Sequence, residues 1–170
     1  KTHDQDFEVA EEAILEVMKE HPEVRLKLVG VLSDRKMEKF GNKVEKLPFM
    51  DWRQLPAVIA GLDINLMPLE NSLFHWCKSE NKWTEAALVK VPSVMSRNCE
   101  MEYVVENGKD GWMCTTKEEW VNALEALVTD EKARKAMGEA AHQKVMEHYL
   151  TVNTGKDAME ELLCSESYTK

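Results

Sequence analysis

Residues 67–92 read MPLENSLFHWCKSENKWTEAALVKVP, and the order of elements in this stretch decides the fold. An apolar strand ends at Pro68, and a polar loop over residues 70–79 leads into a helix over residues 80–89. A second apolar strand follows over residues 91–95. A strand, a helix and a strand joined by short connections predict a parallel sheet covered on both faces by helices.

The same alternation continues on both sides of this stretch, so the predicted fold class is α/β. It is a Rossmann-like parallel sheet flanked by helices on both faces, with further helices at the C-terminus. We interpret residues 1–170 as a single domain with a helical tail over residues 151–170, and as a fragment of a longer chain. The other predicted elements are a helix over 4–21, strands over 25–32 and 43–47, a helix near 55–60, a strand over 64–67, a helix over 101–107, an edge strand over 111–114, and helices over 117–128 and 130–149.

The composition is that of an ordinary globular domain, with 44% hydrophobic and 31% charged residues. A net charge of −9 disfavours binding to nucleic acid, whose phosphates would be repelled by an acidic surface. The four cysteines form no CxxC pair and have no zinc-ligand spacing, which predicts free thiols in a reducing cytoplasm and no metal site. No apolar run approaches the roughly 20 residues that a membrane span needs.

The start of the helix over residues 80–89 is the predicted binding site, because ligands of such sheets bind beyond the carboxyl ends of the strands. Ser79 is predicted to cap the helix, and the free amides of Ser79-Glu80-Asn81 favour an anion. Lys78 and Lys82 flank the same helix end and add positive charge. Glu85 follows one turn later, where its carboxylate can accept hydrogen bonds from ribose hydroxyls. The alternative is a capped surface helix with solvated charges.

Three further side chains are predicted to reach the same edge of the sheet. His75 lies in the loop that enters the helix, His3 lies in the segment before the first helix, and Arg97 follows the strand over residues 91–95. Each has packing or solvation as its alternative role, since loop residues also pack against one another.

In combination, several segments of the chain resemble the donor-binding half of GT-B glycosyltransferases, in the large retaining family called group 1. The likeness covers nearly the whole chain, and two segments are similar to a bacterial subgroup of the family. The segments are TEAALVKVPSV at 84–94, DINLMP at 63–68, NGKDG at 107–111 and the closing helices at 117–149, with KSENK at 78–82 and THDQDF at 2–7 for the bacterial subgroup.

This resemblance implies a donor domain that binds a nucleoside-diphosphate sugar without a metal or other cofactor. Glu85 would hold the ribose, the backbone of residues 79–81 the diphosphate, and the loop at 47–50, including Phe49, the base. The full-length enzyme would be a cytoplasmic hexosyltransferase of bacterial polysaccharide biosynthesis, open to peripheral association with the inner face of the membrane. It would transfer the sugar with retention to a saccharide or lipid-linked acceptor. The acceptor and any general base would come from an N-terminal domain, so no catalytic residue is assigned here and the chain alone is expected to bind donor without transfer.

The chain departs from the family pattern at Cys77, which stands eight positions before Glu85, where a glutamate that contacts the donor sugar is expected. Glu70 and Glu80 are nearby but out of register. Two other functions remain open on the sequence: a GT-B-like nucleotide-sugar epimerase and a non-catalytic α/β interaction domain of the receiver type. The epimerase would need acid and base residues that the sequence does not identify. A receiver would need a phosphorylatable aspartate after a strand, whereas Asp63 precedes one.

Overall fold

The computed structural model of the chain describes residues 2–32 and 35–165. Five strands and eight α-helices alternate along these residues, with short 3₁₀ segments over Arg35–Lys43 and Trp52–Gln54. The elements in chain order are α1 (Thr2–Glu20), β1 (Leu26–Val29), β2 (Val44–Leu47), α2 (Leu55–Ala60), β3 (Asn65–Met67), α3 (Leu73–Trp76), α4 (Asn81–Leu88), β4 (Ser93–Ser96), α5 (Cys99–Val104), β5 (Trp112–Cys114), α6 (Lys117–Thr129), α7 (Glu131–His148) and α8 (Thr151–Ser165).

Every strand pairing in the described chain is parallel, which confirms the predicted fold class. β1 pairs with β2, and β4 lies between β3 and β5 in a second group of three strands. All four residues of β4 are buried, as expected for the central strand of a sheet that is covered on both faces. The carboxyl ends of β3, β4 and β5 therefore meet at one edge, where the loops that follow them come together.

Two apolar clusters hold the helices against the sheet. The first lies between α1 and α6 and includes Phe7, Val94 and Trp120. The second surrounds Trp83 of α4, whose side chain is fully buried and whose indole N–H donates to the Asp110 carbonyl oxygen at 2.9 Å. These clusters fix α1 and α4 relative to the central strand, and both helices carry residues of the candidate site.

Helix starts are set by local capping. The Thr116 hydroxyl and the Glu119 carboxylate form a reciprocal capping box at α6, and Asp130 accepts two backbone N–H groups at the start of α7. Pro56 lies in the first turn of α2, where a missing N–H is tolerated, so the prediction that this helix begins near Leu55 is confirmed.

One local expectation differs from the structure. The loop over residues 70–79 contains the short helix α3, because the Ser72 side chain caps it by accepting from His75 N. Trp52 is 71% exposed and stacks beside Arg53, so it does not contribute to the core despite its size. The helical tail is present as α8 up to Ser165, and the last part of the predicted tail, residues 166–170, lies outside the described residues.

Candidate functional site

The candidate site lies where β3 ends and the chain passes through α3 into α4. The entering loop is fastened to the next strand, because the Ser96 hydroxyl of β4 accepts a hydrogen bond from Leu69 N at 2.8 Å. Asn98, which caps α5, also places its side-chain amide 3.5 Å from the His75 carbonyl oxygen. The loop is thus anchored to the central strand before it reaches the start of α4.

Asp6 of α1 lies at the centre of the site and is 4% exposed. Its Oδ1 accepts from Glu70 N at 3.0 Å and lies 2.9 Å from His75 Nε2. Its Oδ2 lies 3.3 Å from His3 Nδ1 and 3.5 Å from Lys78 Nζ. One buried carboxylate therefore joins the first helix to both ends of the loop and to the lysine before α4.

The contacts of Asp6 keep its carboxylate ionised. Burial raises the pKa of Asp6, but the hydrogen bond from Glu70 N, the charges of Lys78 and His75 and the hydrogen bond with His3 outweigh it. The pKa of Asp6 therefore ends below its ordinary value, and the site contains a fixed negative charge.

His75 is 4% exposed and is held from both sides of its ring. Nδ1 lies 2.7 Å from the Ser72 hydroxyl oxygen, while Nε2 faces the Asp6 carboxylate. Nε2 lies 2.9 Å from Asp6 Oδ1 without the alignment of a hydrogen bond, so the two atoms form a close polar contact. His75 is therefore part of the support of the loop, and its ring does not open to solvent.

The start of α4 differs in detail from the prediction. Ser79 is exposed and lies outside the helix, while Glu80 occupies the capping position without a side-chain hydrogen bond to the first turn. The first bond of the helix runs from Thr84 N to the Glu80 carbonyl oxygen at 3.0 Å. The predicted cap by Ser79 is wrong, and the amides of the first turn of α4 carry no side-chain cap, which leaves them available to an anion.

Lys82 projects from this first turn into a partly enclosed position. Its side chain remains accessible to solvent, yet the surrounding protein lowers its pKa, and the nearby charge of Lys78 lowers it further. The carboxylates of Asp6 and Glu85 oppose this shift without reversing it. Two lysine ammonium groups thus lie in one region at the start of α4, together with the carboxylates of Asp6 and Glu85.

Glu85 is exposed on α4, three residues after Lys82 and four after Asn81, so all three lie on neighbouring positions of one helix face. The structure thus gathers His3, His75, Lys78, Lys82 and Glu85 around Asp6 and the start of α4.

The two remaining predicted residues lie on separate loops. Phe49 follows β2 and is 87% exposed, and Arg97 follows β4 with its Nη1 3.1 Å from the Glu102 carboxylate. Both follow the carboxyl ends of their strands, but the guanidinium of Arg97 already has a partner. Their contribution to donor binding stays a prediction.

Sequence reasoning did not identify Asp6 as part of the site. The helix begins at Thr2, so Asp6 lies beyond its first turn. The available signal was its position: Asp6 falls four residues before Ala10 and next to Phe7, on the apolar face of the helix. A carboxylate on a buried face needs specific partners, which marks it as part of a polar network.

Within residues 2–32 and 35–165, no three His, Cys, Asp or Glu side chains are grouped closely enough to hold a metal ion. None of the described helices has the length and apolar character that a membrane crossing requires.

The topology and the loop–helix site define a Rossmann-like domain of the GT-B type, and solved structures share this fold. The C-terminal domain of a group 1 glycosyl transferase, LpcC from Francisella tularensis, is 16% identical with a TM-score of 0.72, and the match covers 87% of this chain and 80% of that one. HepE from Anabaena in complex with UDP is 18% identical with a TM-score of 0.76, covering 92% of this chain and 44% of that one. A putative UDP-N-acetylglucosamine 2-epimerase from Listeria monocytogenes, 15% identical with a TM-score of 0.61 and covering 86% of this chain and 40% of that one, also shares the fold.

Residues 2–130 match the sequence model of the family described as Glycosyl transferases group 1. Since this match covers most of the chain, the chain belongs to that family, which confirms the resemblance drawn from its motifs. No curated protein matches the chain. The chain spans less than half of the length of HepE, whereas it spans most of the isolated domain of LpcC.

Proposed function

We propose that this chain binds the nucleoside-diphosphate part of a sugar donor at the start of α4. The observation that carries the proposal is the pairing of Lys78 and Lys82 beside the uncapped first turn of that helix. A diphosphate would accept hydrogen bonds from the free amides and neutralise both ammonium groups. Glu85, exposed one turn further along the same face, would accept hydrogen bonds from the ribose.

The site is suited to stabilise a leaving diphosphate. Negative charge builds on the diphosphate as the bond to the sugar breaks, and fixed donors aimed at that charge lower the barrier. Lys82 is partly desolvated, which strengthens its interaction with a phosphate relative to a lysine in open water. This arrangement supplies positive charge from side chains and amides, so we propose that no metal or other cofactor is needed.

The finer parts of the proposal rest on membership of the group 1 family. We propose that the full-length protein is a bacterial hexosyltransferase that transfers sugar with retention to a saccharide or lipid-linked acceptor in polysaccharide biosynthesis. An N-terminal domain would bind the acceptor, so this chain alone would bind donor without transfer. The protein would act in the cytoplasm, with peripheral association at the inner face of the membrane.

Calorimetric titration of the chain with UDP, GDP and ADP, and with the corresponding nucleosides, tests donor binding. We expect one of the three diphosphates to bind. Lys82→Met should weaken that diphosphate by about tenfold or more, through loss of a charge-assisted contact, and leave the nucleoside unaffected. Glu85→Gln should weaken diphosphate and nucleoside together, because it acts on the ribose.

Lys132→Met is the matched control, since Lys132 is exposed at the start of α7. That end of α7 lies at the opposite edge of the sheet, because Arg134 contacts Asp63, which precedes β3. The Lys132→Met variant should bind the diphosphate with the same affinity as the unaltered chain. If none of the three diphosphates binds at millimolar concentration, or if Lys82→Met binds unchanged, the proposed site is wrong. Incubating the full-length protein with a nucleotide sugar and no acceptor then separates transfer from isomerisation.

A further inference from the structure

We propose that Asp6 is a positioning residue of the diphosphate site, which acts by fixing the ammonium group of Lys78 beside the start of α4. This inference rests on the proposed function, since it assigns a role in diphosphate binding. It adds a residue from a different helix, which touches neither the diphosphate nor the nucleoside in the proposed arrangement.

The carboxylate of Asp6 has close polar neighbours on both of its oxygens. Oδ1 serves Glu70 N and His75 Nε2, and Oδ2 serves His3 Nδ1 and Lys78 Nζ, all between 2.9 and 3.5 Å. A carboxylate that is 4% exposed and has close polar neighbours on both oxygens is restrained in its orientation. The Lys78 contact is therefore directed by three others, and this fixes where the lysine nitrogen can lie.

Lys78 is held on a second side by an aromatic ring. Its Nζ lies 5.5 Å from the centre of the Phe74 ring, a distance at which a cation is attracted to the ring face. Its side chain is 28% exposed, so the ammonium keeps an open side. A flexible lysine that is restrained by a carboxylate and a ring loses less conformational freedom when an anion binds, which favours affinity.

The backbone that precedes Lys78 is restrained through the same network. His75 contacts Asp6 with one ring nitrogen and the Ser72 hydroxyl with the other, and Glu70 N is bonded directly to Asp6. Loss of the Asp6 charge would release Glu70 and His75 together with Lys78. The segment that leads into α4 would then be less restrained, and the position of the Lys78 ammonium group would be less well defined.

A positioning role and simple charge repulsion predict opposite changes in diphosphate affinity when the charge of Asp6 is removed. A carboxylate near a phosphate site repels the anion, so its removal should tighten diphosphate binding if Asp6 acts only through its charge. If Asp6 positions Lys78, its removal should weaken diphosphate binding even though the net charge becomes more favourable. The direction of the change therefore separates the two roles.

The experiment compares Asp6→Asn with the unaltered chain by titration with UDP and uridine, using the other diphosphates and nucleosides where UDP does not bind. We expect diphosphate affinity to fall by about tenfold, the size of one charge-assisted contact, and nucleoside affinity to stay unchanged. In a Lys78→Met background the same substitution should have no further effect, because Asp6 acts through that lysine. Asp6→Glu, which keeps the charge but displaces it by one methylene, should give an intermediate affinity.

Asp110→Asn is the matched control for a general loss of fold. Asp110 is also a buried carboxylate with a lysine partner, Lys144, but it lies in the turn before β5. The Asp110→Asn substitution should lower thermal stability, and any change in affinity should be the same for the diphosphate and the nucleoside.

Equal or tighter diphosphate binding by Asp6→Asn would overturn the positioning role, as would an equal loss of nucleoside affinity. If Asp6→Asn does not fold, Asp6→Glu becomes the test. An unaltered diphosphate affinity of that variant would then overturn the positioning role. Failure of the proposed function is distinct, since the unaltered chain would then bind no diphosphate or be indifferent to Lys78→Met.

Discussion

Gly138 of α7 packs directly against the turn between α4 and β4, and its replacement by alanine provides a test of the packing. An added Cβ would lie against the carbonyl oxygen of Lys90, 2.9 Å from its carbonyl carbon and 3.3 Å from Pro92 Cδ. These neighbours are backbone and ring atoms that cannot rotate away, so α7 must withdraw. Such overpacking costs about 1–3 kcal/mol, or more where backbone moves, while alanine in place of glycine contributes about 1 kcal/mol to helix stability. Because the clash is with backbone, we take the upper end of the overpacking cost, about 3 kcal/mol, and subtract the helix contribution of about 1 kcal/mol, which leaves a net loss of about 2 kcal/mol.

Thermal unfolding followed by circular dichroism measures the effect. A loss of about 2 kcal/mol corresponds to a fall in Tm of roughly 4–8 °C for a chain of this size. Gly155→Ala is the control, because Gly155 lies in α8 with no atom within 4 Å of an added Cβ. That variant should unfold at the same temperature as the unaltered chain or above it. If Gly138→Ala proved as stable as Gly155→Ala, the close packing of α7 against Lys90 would be refuted.

Three further predictions concern stability and thiol chemistry. Lys90 has φ of 62°, in the left-handed region, so Lys90→Gly should raise the urea unfolding free energy by about 1 kcal/mol. The hydrogen bond to Glu125 raises the pKa of His21, so its stabilising effect is present below the unfolded pKa of about 6.5 and is lost as pH rises through the higher folded value. His21→Gln should therefore unfold more easily than the unaltered chain at pH 6 and should lose that disadvantage at higher pH. Burial raises the pKa of Cys114 to about 12, so iodoacetamide at pH 8 should alkylate the exposed Cys77 and spare Cys114 in peptide mapping.

The order of strands and helices followed from the sequence because apolar periodicity and capping residues act locally. The helices predicted over 117–128 and 130–149 begin close to their predicted positions, since the caps Thr116 and Asp130 need only residues within the next turn. The short helix α3 was not predicted, because it is four residues long and too short to show a helical period. Its signal was Ser72, a capping residue three positions before His75, which was hidden within a polar stretch.

The sequence predicted which neighbouring residues form the candidate site, but it did not predict the contacts between distant parts of the chain. Lys82 and Glu85 lie three residues apart on one helix, and Lys78 lies just before that helix, so their nearness follows from their positions along the chain. The link from His75 to Asp6 joins residues 69 positions apart and depends on how α1 packs against the sheet. Single-sequence patterns show that a polar residue lies on an apolar face, but they do not show which donor satisfies it.

An acidic protein can contain a site that attracts anions, because its net charge and the local charges of the site act over different distances. The net charge of −9 is spread over the surface, and charges more than about 8–10 Å apart are largely screened at physiological salt. Near the start of α4 the potential is set instead by Lys78, Lys82 and the amides, against Asp6 and Glu85. The negative charge of Asp6 is shared among four donors, so its effect on an anion at the open side of Lys78 is reduced. A diphosphate is short enough to lie wholly within this region, whereas an extended nucleic acid would also meet the acidic surface around it.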